Sequence, residues 1–209
     1  MANQPNVVIF AYPGYTGGKF LINCLGLSDS CCFQDIHLVE RQLNCEFSPQ
    51  DKINYLLDKL DNTVTWQDLN LGDWQMFGMD WHNFTHRPEL FNHNKLLFTI
   101  AHDRKRLTEL VNKFPSSPRI YFTKNQKFLD WRFKNNSRNG EFYNGYILDN
   151  LALIHNWDSD DFLNKELFIN KIKILYNNFK LLDFNQTFIE AYYDKYMATL
   201  EKLKHDSSN

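Results

Sequence analysis

No stretch of this sequence is apolar over the length a bilayer-spanning helix requires, so no membrane partner is expected. An excess of charge of one sign is also missing. The 23 basic residues stand against 25 acidic ones, which removes the broad positive field that nucleic-acid binding needs. Cysteine is sparse and unpatterned: Cys24, Cys31, Cys32 and Cys45 contain no CxxC pair. Adjacent Cys31 and Cys32 suit neither a zinc knuckle nor a mutual disulfide, so buried free thiols in a reducing compartment are expected. Repeats and linkers are absent, and 209 residues suffice for one α/β domain, so a single domain over 1–209 is the expectation. The polar start Met1–Asn6 runs straight into an apolar strand without a signal-peptide pattern, and a cytoplasmic location follows.

What is present is strands separated by helices. Val7 to Ala11 is a continuous apolar, β-rich run, the mark of a strand buried on both faces of a parallel sheet. Pro13, Gly14, Gly17 and Gly18 break it, and Phe20, Leu21, Cys24, Leu25 and Leu27 follow at helical spacing. Further strands are expected at Lys95 to Ala101 and Arg119 to Thr123, with a short one over 31–34. Helices are expected over 48–60, capped by Ser48 with Pro49 in its first turn, and over 104–114, 126–133, 163–179 and 187–203. Residues 204–209 should fray. Residues 63–87, rich in Trp, Asp and His, and 135–146 read as loops. The class is α/β: a central, mostly parallel sheet with helical layers on both faces.

The segment from Tyr12 to Leu21 carries most of the chemical information. Glycine permits positive φ and close approach of a ligand, and a helix start offers N–H groups and the positive end of a dipole. Gly14, Tyr15, Thr16, Gly17, Gly18, Lys19 and Phe20 therefore form a candidate cradle for a phosphate or sulfate. The loop is not a Walker A. Gly14 to Gly18 is one residue too short, and Phe20 replaces the hydroxyl that would hold Mg²⁺, so no metal is expected. The alternative is a tight strand-to-helix turn that holds nothing.

With Tyr12-Pro13 after an apolar strand, this loop resembles the opening of the sulfotransferase family, Tyr-Pro-Lys-Ser-Gly-Thr-Thr. Gly14 stands where the family carries its catalytic lysine, and Lys19 follows later in the loop. Phe98 to His102 resembles the family strand whose terminal His is the general base. Arg119 to Asn125 resembles the strand ending in Arg-Asn-Pro, with Lys124-Asn125 for Arg-Asn, Gln126 for Pro, and Arg132 where a Ser is usual. The resemblance implies a three-layer P-loop NTPase-like, sulfotransferase-like fold. It also implies transfer of a sulfuryl group from the sulfated adenine nucleotide PAPS to a hydroxyl or amine, leaving PAP. His102 and Lys19 would be catalytic, and Lys124 and Arg132 would hold the 3′-phosphate. The acceptor would be selected by the loops over 63–87 and 135–146.

Two other readings stand beside it. Asp103 at a strand end would suit a P-loop kinase or NTPase, and Gly14 would suit a scaffold that binds a nucleotide or a partner without turnover. Asp80, His82 and His86 present a weak metal pattern, and Trp66, Trp74 and Trp81 would pack under a loop or line an acceptor pocket.

Overall fold

The computed structural model describes residues 7–12, 17–31, 48–64, 95–101, 104–124, 126–132 and 154–206. These fall in two compact units, one drawn from Met1–Ile22 and Asp80–Asn164, the other from Asn23–Met79 and Lys165–Asn209.

The first unit is built on a four-stranded, wholly parallel sheet: β1 (Val7–Ala11), β2 (Leu97–Ala101), β3 (Arg119–Lys124) and β4 (Ile154–Asp158), in the order β2-β1-β3-β4. Every residue of β1 and β2 is buried, which is why both read as unbroken apolar runs. Val7 lies level with Leu97 and Ala11 with Ala101, while Ala11 faces Tyr121 on the other side. The helices after the strands are α1 (Gly18–Gly26), α3 (Arg104–Lys113) and α4 (Gln126–Arg132). Leu107 and Leu110 turn inward as α3 packs against β2 and β1. A 3-10 turn, Ser159–Leu163, leaves β4 and packs on α4 and β3.

The second unit is helical. It comprises the later turns of α1 together with α2 (Pro49–Asp61), α5 (Lys165–Asn178) and α6 (Gln186–Asp206), and α6 packs against both α2 and α5. Ser48 caps α2 in a capping box with Asp51, and Pro49 opens the helix as its sequence dictates. Asn185 caps α6, its Oδ1 accepting from the Phe188 N–H at 3.1 Å. The free thiols of Cys24 and Cys31 are buried here, as expected, and Cys32 and Cys45 lie outside the described residues.

Three sequence expectations are corrected. β4 was not foreseen, because Ile154-His155-Asn156-Trp157-Asp158 lies at the edge of the described sheet, where Asn156 is exposed and the apolar signal is broken. The helix expected to start at Leu163 starts at Lys165, and Leu167, which the sequence pattern groups with Phe168, Ile172 and Leu175 on one side, is 41% exposed. The buried stripe is Phe168, Ile169, Ile172, Leu175 and Tyr176, and Leu167 sits about 100° around the helix from Phe168. Finally, α6 runs to Asp206, through residues expected to fray. Of the short strand expected over 31–34, only Cys31 is described.

Candidate functional site

A parallel sheet sends the C-terminal ends of its strands to one edge. Among the described strands, the chain leaves β1 toward β2 on one side and leaves β3 toward β4 on the other. The point between β1 and β3 where these connections diverge is where open α/β sheets hold ligands. The Tyr12 N–H donates to the Ala101 carbonyl at 3.2 Å, which keeps the ends of β1 and β2 level. Lys124 closes β3, its backbone paired with Asp158 beyond a register shift after Phe122.

α1 begins at this edge. The Gly17 carbonyl accepts its first helical bond, from the Leu21 N–H at 3.1 Å. Gly17 has φ of +81°, a conformation that costs an L-residue about 1–2 kcal/mol. A Cβ there would also lie 2.4 Å from the Phe162 ring. Gly18 needs no unusual φ, but a Cβ on it would lie 2.4 Å from three carbons of the Tyr12 ring. The room these glycines leave is therefore filled by two aromatic side chains, Phe162 and Tyr12. The same packing explains Tyr12 of the Tyr-Pro pair, which is buried and lies 5.3 Å from the Phe122 ring. Phe20 is 1% exposed, with its ring 5.5 Å from Phe162, so its side chain belongs to the core. Lys19 lies between these buried residues and is partly exposed.

Gly17, Gly18, Lys19 and Phe20 thus lie at the same sheet edge as Lys124. Arg132 ends α4, about 9 Å along the axis from Gln126. Gly14, Tyr15, Thr16 and His102 lie outside the described residues, as do Asp103, the Asp80-His82-His86 group and the three tryptophans Trp66, Trp74 and Trp81. Among the described residues no three His, Cys, Asp or Glu side chains gather as metal ligands, and no helix is long and apolar enough to cross a membrane.

Reasoning from sequence missed a feature of charge placement. The helices that follow β1, β2 and β3 have no acidic residue in their first turns. Cations stand there instead: Lys19 in α1, Arg104 and Lys105 in α3, and Lys127 in α4. A cation at a helix N-terminus opposes the dipole by about 0.3–1 kcal/mol. Arg106, one residue further on, is buried and answered by Glu109 at 3.2 Å, whereas Arg104, Lys105 and Lys127 are exposed. In the second unit, α2 and α5 open with Asp51 and Glu166, as the dipole favours. The signal was present in the sequence as basic residues beyond the ends of β1, β2 and β3. It acquires meaning only when the sheet brings those ends together.

A carboxylate reaches this edge from elsewhere in the chain. Asp160 Oδ1 accepts from the Phe128 N–H, in the first turn of α4, at 2.8 Å. Asp158 Oδ1 in turn accepts from the Asp160 N–H at 2.9 Å.

Comparison with protein-family profiles, with curated proteins and with solved structures returned no match.

Proposed function

We propose that the C-terminal edge of the sheet binds a nucleotide through its anionic groups, and that the chain is a sulfotransferase-like protein acting on PAPS. One observation carries the anion-binding part: the N-termini of α1 and α3, which follow adjacent strands of one parallel sheet, carry cations where their dipoles favour acids. A polyanion at that edge would turn this local cost into attraction. The sulfuryl chemistry is supported by the resemblance of Tyr12-Pro13, of the strand before His102 and of Lys124-Asn125. Phe20, with its ring in the core, offers no hydroxyl for Mg²⁺, which favours this reading over a kinase or NTPase.

In the proposed reaction the bound nucleotide supplies an activated sulfuryl group. Lys19 and the amides that open α1 would face its 5′ side, where charge grows on the leaving oxygen. Lys124 and Arg132 would hold the 3′-phosphate. His102 would take the proton of the acceptor hydroxyl or amine as the new bond to sulfur forms. A second reading, nucleotide binding without turnover, is favoured by Gly14 in place of the family lysine.

Calorimetry with PAP tests the binding step, and absence of heat at millimolar nucleotide would remove it. Sulfuryl transfer to a panel of phenols and amines tests the chemistry. Lys19→Ala and His102→Ala should abolish turnover while thermal unfolding stays unchanged. PAP binding with no turnover in any protein leaves the scaffold reading.

A further inference from the structure

We infer that the turn after β4, Ser159–Leu163, is the positioning device of the nucleotide site, with Phe162 setting the start of α1 at Gly17 and Asp160 setting the first turn of α4. The inference rests on the nucleotide reading above and adds residues that lie outside the loop itself.

Phe162 is fully buried and central to an aromatic cluster. Its ring centroid lies 5.5 Å from that of Phe20 in α1, 6.5 Å from Phe122 in β3, 5.2 Å from Phe128 in α4 and 5.7 Å from Trp157 in β4. One edge of the ring lies 2.4 Å from where a Cβ of residue 17 would be, so it packs closely on the Gly17 backbone. Backbone with φ of +81° pressed against a fully buried ring has little room to relax, so the ring's place fixes where the amides of Gly18 and Lys19 begin. Two side chains further back along the same turn, Asp160 holds the Phe128 amide, and Asp158 holds Asp160. Asp158 is paired in the ladder with Lys124. One five-residue turn therefore grips both segments to which the nucleotide reading gives opposite ends of one ligand. Neither Asp160 nor Phe162 needs to touch that ligand.

The two grips separate by experiment. The probes are PAP and adenosine 5′-monophosphate, which differ by the 3′-phosphate, measured by calorimetry on the full chain. Asp160→Ala, which frees the first turn of α4, should shrink the preference for PAP by about fivefold or more and leave the monophosphate nearly unaffected. Phe162→Leu, milder than truncation to Ala, should weaken both nucleotides alike by about tenfold. Global destabilisation alone would lower both affinities together in both variants, so an unchanged preference in Asp160→Ala overturns the inference. Amide hydrogen exchange without nucleotide is the second measurement. Faster exchange over 126–132 with 17–22 unchanged in Asp160→Ala, and faster exchange that includes 17–22 in Phe162→Leu, supports the two grips, and the same pattern in both variants overturns them. If the unaltered protein binds neither probe, the nucleotide reading fails, and the exchange pattern alone decides whether the turn holds both segments.

Discussion

Among the described residues of the candidate site, Gly17 is the one whose identity is most tightly constrained. Replacement by Ala meets two independent costs: the left-handed φ of +81° and the 2.4 Å approach to Phe162. Gly17→Ala should lower stability by about 2–4 kcal/mol, read from urea denaturation. Lys180 presents the opposite case. It ends α5 in a Schellman turn, with the Leu181 N–H on the Tyr176 carbonyl at 2.8 Å and its own N–H on Asn177 at 3.1 Å. Its φ of 53° is the geometry for which glycine is favoured. Lys180→Gly should therefore raise stability by about 1 kcal/mol, visible as a higher midpoint in the same denaturation.

At the scale of elements, the turn that follows α1 is held by a lysine that shares the buried stripe of α2 with Ile53, Leu56 and Leu60. Lys52 of α2 is fully buried, and its Nζ donates to the carbonyls of Ser28 at 2.5 Å and Cys31 at 3.1 Å. Ser28 also donates from Oγ to the Leu182 carbonyl at 2.8 Å, and Ser30 Oγ accepts the Leu182 N–H at 3.0 Å. Lys52→Met keeps the apolar stem but removes the charged donor from both carbonyls, leaving that of Ser28 its bond from the Cys31 N–H at 3.2 Å. It should cost about 1–3 kcal/mol, with hydrogen exchange rising first over 28–31. The ion pair of Lys195 with Asp61, which joins α6 to the end of α2, is exposed on both sides. Asp61→Asn should change stability by less than about 1 kcal/mol, so the contrast with Lys52→Met tests whether burial decides the difference.

Across the whole molecule, stability should narrow at both ends of the pH scale. Burial pushes the Cys24 thiol well up, and it pushes the Tyr176 hydroxyl well up too, with the nearby sulfurs of Cys31 and Cys24 adding to the shift. Both groups hold their protons more tightly folded than unfolded. Their contribution is complete below the unfolded pKa values, about 8.5 and 10, and is lost as pH rises through the folded values. Denaturation at pH 7.5 and 9.5 should show the loss, and Cys24→Ala should flatten it. On the acid side, partial burial lowers the pKa of His155. The unfolded chain then binds the proton first, so stability falls as pH drops below about 6.5. His155→Gln should flatten that limb.

The sequence by itself determined the class of fold and most of its elements. β1, β2, β3 and the helices after them were legible because strands buried on both faces and amphipathic helices impose periodicities of their own. Ser48 and Pro49 announced α2 for the same local reason. Only the tertiary structure decided the strand order, the place of β4, and the partners of Gly17 and Gly18. Phe162 and Asp160 are far from those glycines and from Phe128 in the chain, and no local pattern encodes what a distant ring or carboxylate will fill. The cations after β1, β2 and β3 were likewise unremarkable one by one. They became a candidate site because parallel pairing turns strand ends far apart in sequence to a common edge, and charge acts through space rather than along the chain.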